Sequence, residues 1–313
     1  MEFEEAQQTL VELAQIHIST SSVWRRAQKW GRRVQAVEEA QRVIATASPA
    51  RGVPVAGETR HRPEMGVAMD GAQVYIRQEK WKELKVGCVF DIESRPTRDP
   101  TTGETVDMAH AVRNSYVAHL GGPEVLGELV WSEARRRQWT QSRDTIVLGD
   151  GAPWIWNVAQ DHFFDSRQAV DWYHATEHLA HAGSLLKGEG TPGAQRWYKA
   201  QQTPLFEGHA DRIAAQLLKA ARKHTAAADG LRREAGYFQE YAHRMQYHEL
   251  REDGFPIGSG MVESGCKRFR KRFTGSGMRW SRHGIECLIP IRAAIMGRRF
   301  DEVWRLAYRS PQN

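Results

Sequence analysis

The sequence predicts a mixed α/β or α+β chain in which a strand-rich middle is bracketed by helices. Three observations carry this expectation. Between residue 66 and about residue 177 lie short apolar runs of strand character, among them Lys85-Val-Gly-Cys-Val-Phe-Asp91-Ile92 and Thr145-Ile-Val-Leu148. Residues 194–250 are alanine-rich and helical, without strand signals. After Gly254, Gly258 and Gly260 the chain continues as a basic helical segment. Strands followed by helices place the chain among the layered α/β and α+β folds.

Residues 3–46 read as helical. Phe3, Leu10, Leu13 and Ile16 form an apolar stripe, which His17-Ile18-Ser19-Thr20-Ser21-Ser22 interrupts with N-capping residue types. A second helix follows, because Val23, Ala27, Trp30 and Val34 fall on one face. Arg25, Arg26, Lys29, Arg32 and Arg33 fall elsewhere on its surface. Two helices about a Ser/Thr turn, the second one basic, resemble a helix-turn-helix over residues 1–47. A plain helical hairpin with solvated arginines gives the same pattern. Residues 48–65 hold Pro49, Pro54 and Pro63 with Gly52 and Gly57 between them, which reads as a linker and domain boundary.

Val67 to Ile76 has the look of a hairpin about Asp70-Gly71, and Ser115 to His119 of another strand. Pro123 to Trp139 reads as a helix, with proline near its start and Arg135-Arg136-Arg137 near its end, where cations suit the dipole. Thr145 to Leu148 is apolar throughout most of its length, as in a central strand covered on both faces, and runs into Gly149-Asp150-Gly151. Ser166 to Ala182 reads as a helix. The resulting division is 66–182 for the strand-bearing part, 183–250 for the helical stretch and 251–313 for the basic end.

The 313 residues are 41% hydrophobic and 26% charged, ordinary globular usage. Mean hydropathy is −0.61 and no apolar run is long enough to span a bilayer. The acidic opening Met1-Glu-Phe-Glu-Glu-Ala predicts no signal peptide. The three cysteines, Cys88, Cys266 and Cys287, are far apart and form no C-x-x-C pair, which argues against a disulfide scaffold or a cysteine zinc site and for a reducing cytoplasm. Arg251 to Asn313 carries 13 Lys+Arg against 6 Asp+Glu, so this end alone exceeds the net charge of +6. Such a patch suits a polyanion, or else is a solvated helix face.

Asp70 and Asp150 each end an apolar strand and precede a glycine. Two such carboxylates on neighbouring strands would make an oxygen-rich Mg²⁺ site. The alternatives are a type I′ hairpin turn at Asp70-Gly71 and a strand-to-loop turn at Asp150-Gly151. Glu263 lies where a glycine-punctuated loop enters a helix, with Lys267 one turn on and Arg268, Arg270, Lys271 and Arg272 following. A DNA phosphate would balance these cations; a solvated Glu–Lys pair is the plainer reading. His174, His178 and His181 share a helical face, but without the general-base spacing of H-E-x-x-H they read as core or DNA-facing rather than zinc ligands. Arg279-Trp280, after a glycine-rich turn, can hold a phosphate and stack on a base, or pack as a structural turn.

Met-Asp70-Gly, Leu-Gly-Asp150-Gly-Ala-Pro-Trp-Ile-Trp, Asp171-Trp-Tyr-His174, Gly-Ser-Gly-Met-Val-Glu263-Ser-x-x-Lys267 and Gly-Ser-Gly-Met-Arg-Trp-Ser281 occur in this order. Together they resemble the ISKra family of bacterial insertion-sequence transposases, which belong to the DDE group. The resemblance runs from about residue 60 to residue 305, and Phe3–Trp30 resembles the helix-turn-helix preceding the core. It departs at the N-terminus, where members are usually longer and often cysteine-rich.

The resemblance implies an RNase H-like mixed sheet with flanking helices, an all-α insertion at 183–250 and a small helix-turn-helix. It implies that Asp70, Asp150 and Glu263 are the catalytic triad and ligands of two Mg²⁺ (or Mn²⁺) ions, Asp70 bridging both, with Asp171 and His174 as accessory residues. Water would nick the element end and the freed 3′-OH would attack target DNA. The partners implied are double-stranded DNA, at the element's terminal inverted repeats and the target, and further copies of the chain on that DNA. DNA contacts are expected from Arg25, Arg26, Lys29, Lys267, Arg268, Arg270, Lys271, Arg272, Arg279 and Trp280. Two other classes share these features: a non-catalytic helix-turn-helix regulator, and an RNase H-like nuclease that cuts without joining.

Overall fold

The computed structural model describes residues 3–47, 63–98, 103–275 and 277–309. Of the expected linker, residues 48–62 lie outside them, as does Ser276 of the glycine-rich turn. The centre is a five-stranded mixed sheet built from β1 (Met65–Ile76), β2 (Lys80–Arg98), β3 (Thr105–His119), β4 (Thr145–Gly149) and β5 (Arg167–Val170). Its order is β3-β2-β1-β4-β5; the first three strands are antiparallel, and β4 and β5 run parallel to β1.

Alternation along the strands divides the core in two. Met65, Val67 and Met69 of β1, with Val147 of β4, face one side. There they meet α3 (Pro123–Arg136), α4 (Pro153–His162) and α5 (Trp172–Lys187). The same apolar cluster runs on into α6 (Pro192–Phe206), α7 (Ala210–Ala221), α8 (Ala228–Tyr241) and α9 (Tyr247–Glu252). The helical stretch therefore shares a core with the sheet rather than forming one of its own. Ala68, Cys88, Ile146 and Leu148 face the other side. That face is covered by α10 (Gly260–Phe273), α11 (Arg282–Glu286) and α12 (Ile289–Met296), and α13 (Phe300–Arg309) follows.

The N-terminal segment is two helices, α1 (Phe3–Ala14) and the 28-residue α2 (Thr20–Ala47). The expected face of α2 is used: Val34 is buried with Ala294, Val303 and Ala307, and the Trp30 and Trp304 rings lie 4.3 Å apart. Gln28 Nε2 donates to Gly284 O at 3.0 Å. The segment is thus joined to the C-terminal helices. The apolar stripe expected on the first helix is not buried: α1 ends before Ile16, and Leu13 is 83% exposed.

Three local expectations fail for identifiable reasons. Asp70-Gly71 is not a hairpin turn. Both residues sit within β1 opposite Val86 and Lys85, and the chain reverses instead at Arg77–Glu79, where Gln78 takes φ 68°. Ser166–Ala182 is not one helix. Arg167–Val170 is a strand held by β4, and the helix begins only at Trp172, with Asp171 as its cap. Pro123–Arg136 stops short of Trp139, which is buried in a following 3₁₀ turn. A further helix without an expectation behind it, α4, starts on Pro153. Among the described residues no helix is long and apolar enough to cross a membrane.

Candidate functional site

The register of β1 against β4 pairs Met65 with Thr145 and Ala68 with Leu148, a constant offset of 80 residues. Asp70 and Asp150 each come two residues after the last of these pairs, and the Asp150 charge acts on Asp70. Asp70 follows Ala68 of the α10-side cluster by two positions, so the alternation within β1 directs it toward α10, whereas Asp150 lies one residue beyond the end of β4. Pairing between the strands ends just before them, which opens the sheet at this point. Asp70 Oδ1 accepts from Gly71 N at 2.6 Å and Asp150 Oδ1 from Ala152 N at 2.8 Å.

Burial pushes the Asp70 carboxyl above the usual carboxylate range. The Gly71 amide and the Cys266 thiol pull it back, the Asp150 charge raises it, and His174 lowers it. Asp70, Asp150, His174 and Cys266 therefore form one electrostatic neighbourhood. Cys266 is buried on α10, one turn after Glu263; burial and the nearby Asp70 charge raise its thiol pKa, so it stays a protonated thiol.

Glu263 is exposed, and its Oε1 lies 2.6 Å from Lys267 Nζ. It lies in the first turn of α10 and is turned toward its own i+4 lysine. Among the described residues no group of three or more His, Cys, Asp or Glu side chains is arranged to hold a metal ion.

Asp171 is 4% exposed and holds two chain segments together. Oδ1 caps α5 by accepting from His174 N at 2.8 Å, and Oδ2 accepts from the Ser259 amide in the loop entering α10. His174 itself is half-exposed, with Glu177 3.7 Å away. His178 and His181 place their Nδ1 atoms 2.7 and 2.8 Å from the two carboxylate oxygens of Glu234 on α8. Burial pushes Glu234 up, but the two histidine hydrogen bonds outweigh it and its carboxyl sits below the usual range. The ring of His178 stacks on Tyr237 with centroids 3.6 Å apart, and Tyr237 Oη donates to Asp150 O at 3.4 Å. Gly151 takes φ 105°, and a Cβ there would lie 3.1 Å from the Tyr237 ring. Cys266, Glu234 and Tyr237 were missed by sequence reasoning. Only Cys266 had a signal, its i+3 spacing from Glu263.

Lys267, Arg268, Arg270 and Lys271 are exposed along α10. Arg272 differs: its guanidinium lies 5.6 Å from the Trp280 ring and 5.8 Å from that of Phe3. Arg279 is exposed; Trp280 is half-buried, donates from Nε1 to Phe273 O at 2.9 Å and meets the Phe273 ring edge-on. Arg25, Arg26 and Lys29 are exposed on α2, and Arg25 Nη2 donates to Ser22 Oγ at 3.0 Å. No protein-family model matches the chain, and no curated protein is similar to it.

Proposed function

We propose that the chain is a DDE-type DNA transposase related to the ISKra family, with an RNase H-like core, cutting double-stranded DNA at element ends and joining the freed 3′-OH to a target. The observation that carries this reading is that Asp70 on β1 and Asp150, just past the end of the parallel strand β4, lie close enough for the Asp150 charge to act on Asp70, with Asp70 beside Cys266 of the helix that bears Glu263 and a run of exposed cations. The strand order, with three antiparallel strands followed by two parallel to the first, agrees with it.

Asp70 and Asp150 suit a divalent cation: both are carboxylates, and Asp70 senses the charge of Asp150. Glu263 would join them once Lys267 releases it, and a phosphate arriving at α10 gives Lys267 another anion to pair with. Magnesium held there would activate the attacking oxygen and stabilise the leaving one. The protein's own part is to hold the acids and to place the backbone through Lys267, Arg268, Arg270 and Lys271. Work on DNA in the cytoplasm, by a dimer or larger assembly, belongs to the same reading.

The test is cleavage of DNA carrying the element ends in Mg²⁺ or Mn²⁺. Asp70→Asn, Asp150→Asn and Glu263→Gln should each abolish cleavage and leave DNA binding in place. A variant that cuts at the wild-type rate removes that residue from the site. Cutting without joining would leave a nuclease, and binding without cutting a regulator.

A further inference from the structure

A second feature lies at the far end of α10. Phe3 of α1, Trp24 of α2, Arg77 of the β1–β2 turn, and Met278, Arg279 and Trp280 line an open cavity of about 310 Å³. Four segments of the chain thus bring three aromatic rings and two exposed arginines to one place. Trp24 is 43% exposed, a large apolar surface that packing does not account for. The walls are fixed. Arg77 N donates to Trp280 O at 2.8 Å, Trp280 Nε1 to Phe273 O, and Arg282 is held by Glu79 and Glu286.

The cavity is connected to the acids by a basic track. From Asp70 to Ile76, which bridges to Trp280, is about 20 Å at roughly 3.3 Å per residue. Over the same interval α10 runs from Glu263 to Phe273, about 15 Å of helix, with Lys267, Arg270 and Lys271 exposed along it. A strand whose phosphate lies at the acids and whose backbone follows α10 reaches the cavity after about 20 Å.

We propose that this cavity is a binding site for an unpaired nucleobase of a DNA strand, stacked against Trp24 and Trp280 with its flanking phosphates on Arg77 and Arg279. The inference rests on the reading of the chain as a DNA-processing protein and adds to it a preference for single-stranded or opened DNA at a fixed distance from the acids. Aromatic faces accept any base, whereas the arginines select for the backbone, so the site reads strandedness and not sequence. A duplex keeps its bases paired and stacked and cannot fill it without opening.

The experiment is fluorescence anisotropy of the full chain in EDTA, where no cleavage occurs. The probes are a short oligodeoxythymidine, the same backbone with abasic residues, and a duplex of equal length. Wild type should bind the thymidine strand more tightly than the abasic one. Trp24→Ala should weaken thymidine binding about 5- to 150-fold, the equivalent of about 1–3 kcal/mol of base stacking, and leave abasic and duplex binding unchanged. Trp24→Phe should restore most of it, and Arg279→Gln should weaken thymidine and abasic strands alike. Wild type that binds duplex but does not distinguish thymidine from abasic strand overturns the cavity and leaves the transposase reading standing; this arm needs no variant to fold. Equal losses on thymidine and abasic strands in Trp24→Ala also overturn it. Wild type that binds none of the three probes overturns both readings.

Discussion

Asp171 and Ser259, 88 residues apart, are joined by a hydrogen bond from the Ser259 amide to Asp171 Oδ2. The other oxygen of the same carboxylate caps α5, and the Asp171 amide donates to Gly149 O at 2.8 Å beside Asp150. Trp172 N adds a bond to Ile257 O at 2.9 Å. One buried residue therefore ties the Asp150 strand end, through its amide, to the loop that starts the Glu263 helix, through its carboxylate. Asp171→Asn retains one acceptor and turns an amide N–H₂ toward the other donor, which should destabilise the fold by about 1–3 kcal/mol. Asp171→Ala also loses the cap, worth about 0.5–2 kcal/mol more. Urea denaturation measures both. Hydrogen exchange at the Ser259 amide should accelerate; an unchanged amide in a destabilised variant would show that the bridge does not hold this loop.

The cations of α10 divide into two kinds, and salt should separate them. Arg270→Gln with Lys271→Gln removes two exposed charges and keeps a good helix former. If these contact phosphates, the slope of log K against log salt should flatten by up to about 1.8, at about 0.9 per phosphate, on random and end DNA alike. Arg272 lies over the Phe3, Phe273 and Trp280 rings. Arg272→Gln should lower stability by about 0.5–2 kcal/mol and leave the slope nearly unchanged. A slope that responds only to Arg272 would reverse the assignment.

What could be read from the sequence depended on how local its cause was. β4 was legible because Thr145–Gly149 is buried along its whole length and its apolar run says so. β5 was not. Arg167-Gln168-Ala169-Val170 has two buried residues and suits a helix as well, and its strand state comes from pairing with β4. Asp70-Gly71 carries a strong local turn signal, overruled because β2 pairs with β1 on both sides of it. The three acids could be named from motif order, but that Asp70 and Asp150 come near each other follows only from the pairing of β1 with β4. Glu234 and Tyr237 lie on α8, with no pattern linking them to His178 or Asp150; tertiary packing alone unites them.

The seam between α2 and the C-terminal helices depends on one close approach. A Cβ on Gly31 would lie 2.1 Å from the Cys287 carbonyl oxygen, and backbone cannot yield as a side chain does. Gly31→Ala raises helix propensity by about 1 kcal/mol, which alone would stabilise α2. The clash should outweigh it and destabilise the protein by about 1–3 kcal/mol net. Chemical denaturation tests the sign: a variant more stable than wild type would mean that α2 does not seat against this carbonyl.

Glu38 gives the same seam a dependence on pH. It lines a cavity of about 40 Å³ with Glu133 and Arg299, between α2, α3 and the C-terminal helices. Burial pushes its carboxyl up from 4.5 to about 7; Arg299 draws it back, while Glu133 and Glu39 add repulsion. Glu133 does not relieve it, since its own carboxylate is already engaged by Arg136 and by Arg299. A carboxyl whose folded pKa lies above its unfolded one binds more protons in the folded state between the two values. Stability is therefore greatest below about pH 4.5 as far as this group is concerned, and falls as pH rises to about 7. The full difference is on the order of 1–3 kcal/mol, discounted for the partial exposure of the residue. Glu38→Gln removes the charged form, so it should match wild type near pH 4.5 and exceed it in stability above about pH 7. Urea midpoints for both proteins across this range measure the difference, in which other titrating groups cancel. A difference that stays flat with pH would place the Glu38 carboxylate in water, and the α2 seam would then be held by packing alone.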